Sequence, residues 1–293
     1  MARDHIEGTV LMDKWAVSRK LSSGGYGVVY KAYDLYDERH KVAVKTEPVN
    51  TRNSSLPNEY QFYKALGNAP GFPTMYDYGR TSDGSYRALV ISLLGKSLHD
   101  LVHQENGTFS LKTVLCVGVQ GIDLLRTIHS LGYVHRDIKP DNMMIGRRYP
   151  SEIQLVDFGL VAKYRSGRHH IADEGEGHGL RGTITYASIR SHKGRRLTRR
   201  DDLESFAYTL LTLAKGYLPW SDIESEGDVL RSKKSYSTAE LCEDLPSCFL
   251  TLLRDSRNLR FDEKPDYSGI QRSFVRSLHK RGWKVKSRLD WMN

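Results

Sequence analysis

The chain has 293 residues, 39% hydrophobic and 27% charged, and 44 Lys and Arg outnumber 35 Asp and Glu for a net charge of +9. This is the composition of an ordinary globular chain, long enough to bury a substantial core. Its apolar runs fall far short of the ~20 residues of a membrane-spanning helix. Residues 1–8 carry no apolar h-region and position 2 is Ala, so neither a secretory signal nor myristoylation is expected. Cys116, Cys242 and Cys248 are odd in number and never spaced as C-x-x-C, which points to free buried thiols in a reducing compartment.

In chain order, residues 15–21, 28–33 and 41–46 are rich in β-branched and aromatic side chains between turn formers and predict strands. A short helix is expected over about 56–66, with Ser54 or Ser55 as cap, Pro57 in its first turn and Gly67 at its end. Two more strands flank the Asp83-Gly84 turn, the second ending at residues 88–92. Leu111, Val114, Leu115, Gly118, Ile122, Leu125 and Ile128 then recur at 3.6-residue spacing, the apolar face of a long helix. The apolar run 153–156 reads as a strand. Residues 203–214 are apolar nearly all round, so a helix buried on every side is expected there, closed by Gly216. No internal repeat appears. A strand-rich front and a helix-rich rear, meeting near residues 93–96, predict an α+β protein of two lobes.

The motifs point to phosphoryl transfer, which needs a triphosphate held, its charge neutralised by metal, and an acceptor hydroxyl aimed. His135-Arg136-Asp137-Ile138-Lys139-Pro140-Asp141-Asn142 matches the protein-kinase catalytic-loop pattern throughout. In it Asp137 would take the hydroxyl proton, Lys139 would offset charge developing on the γ-phosphate, and Asn142 would bind metal. Fifteen residues on, Asp157-Phe158-Gly159 follows the 153–156 strand, and Asp157 would chelate the Mg2+ that bridges the phosphates. Val42-Ala43-Val44-Lys45 matches the V-A-I-K strand, with Val42 and Val44 on one face and Lys45 on the other. Lys45 would hold the α- and β-phosphates and needs a carboxylate to orient it; Glu59 on the following helix is the candidate. Ser22-Ser23-Gly24-Gly25-Tyr26-Gly27-Val28-Val29 is an irregular Gly-rich loop: Gly24 and Gly27 permit close approach to phosphates, while Ser22 replaces the first glycine.

From residue 15 to about 278 the chain resembles the casein kinase 1 group of Ser/Thr kinases. The resemblance is carried by Gly182-Thr183-Ile184-Thr185-Tyr186-Ala187-Ser188-Ile189 in place of an A-P-E triplet, by Arg199-Arg200-Asp201-Asp202-Leu203-Glu204-Ser205, by Leu218-Pro219-Trp220 and by Lys264-Pro265-Asp266-Tyr267. Ser191-His192-Lys193-Gly194 is similar to vaccinia-related kinases, Asp290-Trp291 to tau-tubulin kinases, and the catalytic loop to casein kinase 1 proper.

The resemblance implies a bilobal protein-kinase fold, an antiparallel-sheet N-lobe with one main helix and a mainly helical C-lobe. The expected divisions are an extension over 1–13, the N-lobe over 14–92, the C-lobe over 93–282 and a basic tail over 283–293. It further implies Asp202 tethering the catalytic-loop backbone, a hinge through residues 91–95 with Leu94 on adenine and Ile91 as gatekeeper, Val29 and Ala43 over the purine, Leu21 and Ser22 at its edge, and an activation segment over 164–183 working without phosphorylation. ATP with Mg2+ (or Mn2+), protein substrates including acidic ones, a monomer, and a cytoplasmic location open to the nucleus are expected. An arginine expected near Thr185 is absent, and the loop after Trp220 is acidic at Asp222, Glu224, Glu226 and Asp228; the basic run Arg190 to Arg200 either replaces that substrate-binding charge or is partly structural. A pseudokinase that retains nucleotide binding, and a basic nucleic-acid module, are the rival readings.

Overall fold

The computed structural model describes residues 6–24, 27–167, 169–175 and 177–292. Gly25 and Tyr26 of the Gly-rich loop, Arg168 of the activation segment and the first residues of the N-terminal extension lie outside them. The chain divides into two compact units, one of residues up to Gly95 with Val156–Gly159, the other of Lys96–Leu155 with Leu160 onward.

The first unit is an antiparallel sheet with one helix. Its strands are β1 (Val10–Leu11), β2 (Trp15–Gly24), β3 (Gly27–Asp34), β4 (Asp37–Pro48), β5 (Met75–Arg80) and β6 (Tyr86–Ser92), in the order β1-β2-β3-β4-β6-β5. Period-two alternation puts Trp15, Val17, Tyr30, Val42, Val44 and Val90 into one hydrophobic cluster on one face of the sheet. The helix α1 (Leu56–Leu66) has Pro57 in its first turn and ends at Gly67. Its N-terminus is not capped by the side chain of Ser54 or Ser55, as the sequence suggested. The buried Glu47 carboxylate of β4 accepts hydrogen bonds from the N–H groups of Ser55 (3.0 Å) and Leu56 (3.2 Å) and from the Ser54 hydroxyl (2.6 Å). The Glu47 side chain thus meets the positive end of the helix, and it ties α1 to the strand that bears Lys45.

The second unit is mainly helical. Its helices are α2 (Leu98–Gln104), α3 (Leu111–Ser130), α4 (Ile189–His192), α5 (Arg199–Lys215), α6 (Glu226–Ser235), α7 (Thr238–Leu241), α8 (Ser247–Asn258) and α9 (Tyr267–His279). Short antiparallel pairs complete it: β7 (Tyr133–Val134), β8 (Met143–Ile145), β9 (Ile153–Leu155), β10 (Ala162–Lys163), β11 (Arg165–Ser166) and β12 (His169–His170), pairing as β7 with β10, β8 with β9 and β11 with β12. Helix α5 is buried on all sides, with Leu203, Phe206, Leu210, Leu211 and Leu213 sealed from solvent. Helix α3 approaches it through a glycine: a Cβ at Gly121 would collide with the Phe206 ring. The three cysteines are free and buried. Residues 283–292 pack back onto this unit. There Asp290 Oδ2 accepts from Ser110 N at 2.6 Å and Oδ1 from Ser110 Oγ at 2.7 Å at the start of α3, and Trp291 Nε1 donates to Pro150 O at 2.9 Å.

One charge pattern takes a different form from the sequence expectation, and the other follows one of the two readings the sequence left open. The acidic stretch after Trp220 is not all loop: Glu226 and Asp228 lie in the first turn of α6, where the helix dipole favours them. In the basic run, Arg190, Arg199 and Arg200 are structural. Their guanidinium groups donate to the carbonyls of Arg257, Asp262 and Leu259 respectively, and Arg196 pairs with Glu174. Lys193 and Arg195 are exposed.

Candidate active site

The first unit assembles the phosphate-facing group. In the β3–β4–β6 register Val29 lies opposite Lys45, and Ile91 opposite Ala43. Alternation therefore places Val29, Ala43, Lys45 and Ile91 on the face away from the Val42–Val44 core. Leu21, Ser22 and Gly24 belong to β2, where Ser22 pairs with Val29 and Gly24 with Gly27; Leu94 follows β6 and is half-buried. Gly27 has φ +119°, and a Cβ there would run into the Thr46 carbonyl, so β3 and β4 reach this closeness only with glycine at that position.

Lys45 Nζ lies 2.7 Å from Glu59 Oε2 and 2.7 Å from Asp157 Oδ1. Burial opposes its charge, but the two carboxylates outweigh burial and hold the ammonium protonated far above its ordinary range. Burial likewise pushes the Glu59 carboxyl up, against the pull of Lys45. The other Glu59 oxygen accepts from Phe158 N at 3.2 Å, so one carboxylate positions both the lysine and the Asp157-Phe158-Gly159 turn. Asp157 is held at φ 62°, a left-handed conformation that costs energy for a non-glycine residue. The Phe158 ring offsets that cost by packing fully buried against Phe62, Tyr63 and Phe72.

The second unit assembles the acceptor-facing group in the loop after β7. Asp202, in the first turn of α5, accepts from His135 N and Arg136 N, each at 2.8 Å. His129 Nε2 is 2.8 Å from the same carboxylate, and its Nδ1 is 2.6 Å from the Tyr267 hydroxyl. Although burial opposes ionisation of Asp202, His129 and the loop N–H groups hold its carboxyl below the usual range. This clamp sustains Arg136 at φ 71°.

Asp137 is buried. Its Oδ1 accepts from Thr183 N at 2.9 Å and from Thr183 Oγ1 at 2.8 Å, and Lys139 Nζ donates to the same Thr183 oxygen at 2.8 Å. Asp137 Oδ2 lies 3.1 Å from Lys139 Nζ and 3.2 Å from Asn142 Nδ2. Asn142, in a 3-10 turn over Pro140–Asn142, also donates Nδ2 to Asp137 O at 2.9 Å. Both amide hydrogens being directed at Asp137, the Asn142 amide oxygen faces elsewhere, and oxygen is the donor that a hard divalent cation takes. The participation of Thr183 was not read from the sequence, where Gly182-Thr183 appeared only as a family mark. The activation segment that carries it is fixed further along by the buried Lys233, whose Nζ donates to Ile184 O (2.7 Å) and Ala187 O (2.6 Å) and lies 3.0 Å from His192 Nε2. Burial draws the Lys233 pKa down to about 7, against the attraction of Glu204.

A six-stranded antiparallel sheet with one helix that bears the first group, followed by a helical unit that bears the second, defines a bilobal protein-kinase fold. The model of the protein kinase domain matches residues 15–278, and the chain belongs to that family. It is accordingly a protein kinase, a transferase for which ATP and a divalent metal are implied.

Proposed function

We propose that the chain transfers the γ-phosphate of ATP to serine or threonine hydroxyls of protein substrates, as a member of the casein kinase 1 group. The observation that carries this reading is the Asp137–Thr183–Lys139 arrangement, in which an aliphatic hydroxyl donates to the carboxylate and accepts from the lysine. Oδ1 is engaged by Thr183 and Oδ2 by Lys139 and Asn142, and Oδ2 would accept the proton of an incoming hydroxyl once Lys139 moves off it. Lys139 would then turn its charge to the oxygens of the transferring group.

Lys45, oriented by Glu59, would hold the α- and β-phosphates. Leu21, Ser22, Gly24, Gly27, Val29, Ala43, Ile91 and Leu94 would enclose the nucleotide. Asp157 and the Asn142 amide oxygen would hold Mg2+, or Mn2+ in its place, which supplies charge neutralisation of the phosphates when bound. Exposed Lys193 and Arg195 would favour acidic substrates, met by a monomer in the cytoplasm or the nucleus.

The test is transfer of labelled phosphate from Mg-ATP to casein and to Ser-, Thr- and Tyr-containing peptides. Wild type should label Ser and Thr, and Asp137→Asn should lower the rate roughly 10²–10⁴-fold while ATP still raises the thermal midpoint. Tyrosine labelling would overturn the acceptor assignment. ATP binding without transfer to any acceptor would favour a nucleotide-binding pseudokinase.

A further inference from the structure

The second unit contains a cavity of about 550 Å3 bordered by the C-terminal end of α3, Tyr164 and Arg165, the start of α5 and the start of α9. His129 and Tyr267, which brace Asp202, line it, but none of the residues assigned above to ATP or to the acceptor hydroxyl does. Arg126, Arg165, Arg199 and Lys264 face it, and Asp266 is the one carboxylate among the described lining residues. Asp266 Oδ1 is engaged in capping α9, accepting from Gly269 N at 2.9 Å. Arg126 is paired with Asp123 at 2.5 Å, and Arg165 donates to the Ser130 carbonyl.

Arg199 is the buried member. It donates to Asp262 O at 2.5 Å and reaches the Tyr164 hydroxyl at 3.5 Å, and its guanidinium lies 4.6 Å over the Tyr164 ring. Its Nε is buried and has no hydrogen-bond partner among the described residues. Four cations against one carboxylate, itself taken up in capping α9, leave the lining positive, and an anion would complete it. Guanidinium forks match the oxygens of phosphate in particular. The volume is that of a small-molecule site and exceeds the need of a bare ion, and Tyr164, Pro265 and Tyr267 give it a wall for a less polar body.

We propose that this cavity binds a phosphate monoester, with the dianion among Arg126, Arg165, Arg199 and Lys264 and the ester body against the tyrosine wall. The ester belongs either to a phosphorylated protein side chain or to a free small phosphoester.

Calorimetric titration of the full chain with N-acetyl-phosphoserine methylamide, glycerol 3-phosphate and inorganic phosphate tests this. Saturable binding of at least one monoester, tighter than inorganic phosphate, is expected. R126Q/K264Q, which alters two exposed side chains, should weaken it at least ~10-fold, whereas K280Q/K286Q should not. Tighter binding of the amide identifies a phosphorylated protein segment, and tighter binding of glycerol 3-phosphate a free metabolite. R165Q gives an independent reading should the double variant lose its fold. The proposal is overturned by the absence of saturable binding, by unchanged binding in both R126Q/K264Q and R165Q, or by equal loss in K280Q/K286Q.

Discussion

His192 shows how one side chain can set the pH response of a segment. Its ring is sealed among Lys233, the Ile184 carbonyl and, at 3.9 Å, Glu226. Burial first, and then the charge of Lys233, draw its pKa from 6.5 down to about 4. The folded chain therefore holds His192 neutral, and the stability that this contributes is complete above pH 6.5 and lost as the pH falls toward 4. The full window is worth on the order of 3 kcal/mol. His192→Gln keeps an acceptor for Lys233 but removes the titration. Urea unfolding midpoints should thus fall less steeply between pH 6.5 and 4 in the variant than in wild type. Identical slopes would show that His192 is accessible to protons in the folded state.

The packing of α3 on α5 depends on the missing side chain at Gly121. Glycine is a poor helix former, and alanine there would raise helix propensity by about 1 kcal/mol. The Phe206 ring occupies the space a methyl group would need, and Phe206 is itself sealed inside α5. Overpacking should win, so Gly121→Ala is expected to destabilise the chain by roughly 1–3 kcal/mol in chemical denaturation. A stabilised variant would mean that the helices can separate at little cost. The same helix explains why its N-terminus recruits a distant residue: Ser110 precedes α3, and Asp290 engages both its N–H and its hydroxyl from 180 residues further along the chain.

Over the whole molecule, the net charge of +9 overstates the surface available to a polyanion. Arg190, Arg199 and Arg200 each direct a guanidinium donor at an internal carbonyl, and Arg196 pairs with Glu174. Duplex DNA should accordingly be held no more tightly than the non-specific range of about 10⁻⁴–10⁻⁶ M at physiological salt, and binding should weaken steeply as salt rises. Fluorescence anisotropy with a labelled duplex reads this directly. Nanomolar, salt-resistant binding would restore the nucleic-acid reading.

The sequence by itself determined the class of fold and the chemistry-bearing motifs, because both are written in local patterns. Runs rich in β-branched and aromatic residues between turn formers marked the first strands, 3.6-residue spacing marked α3, and Pro57 and Gly67 bounded α1. Lys45 and its candidate partner Glu59 were legible for the same reason, since a strand followed by a short helix leaves few carboxylates within reach. Helices α8 and α9 were not anticipated, although Phe249, Leu252 and Leu253 and then Ile270, Phe274 and Leu278 recur at helical intervals and are buried. Only the tertiary structure decided which polar groups meet across long stretches of chain. Glu47 rather than Ser55 caps α1, Thr183 occupies one oxygen of Asp137, and His129 bridges Tyr267 to Asp202. The basic run divides between interior and surface for the same reason. Which arginine finds a carbonyl depends on what α8 and the loop before α9 bring alongside, and that partner is not encoded near the arginine in sequence.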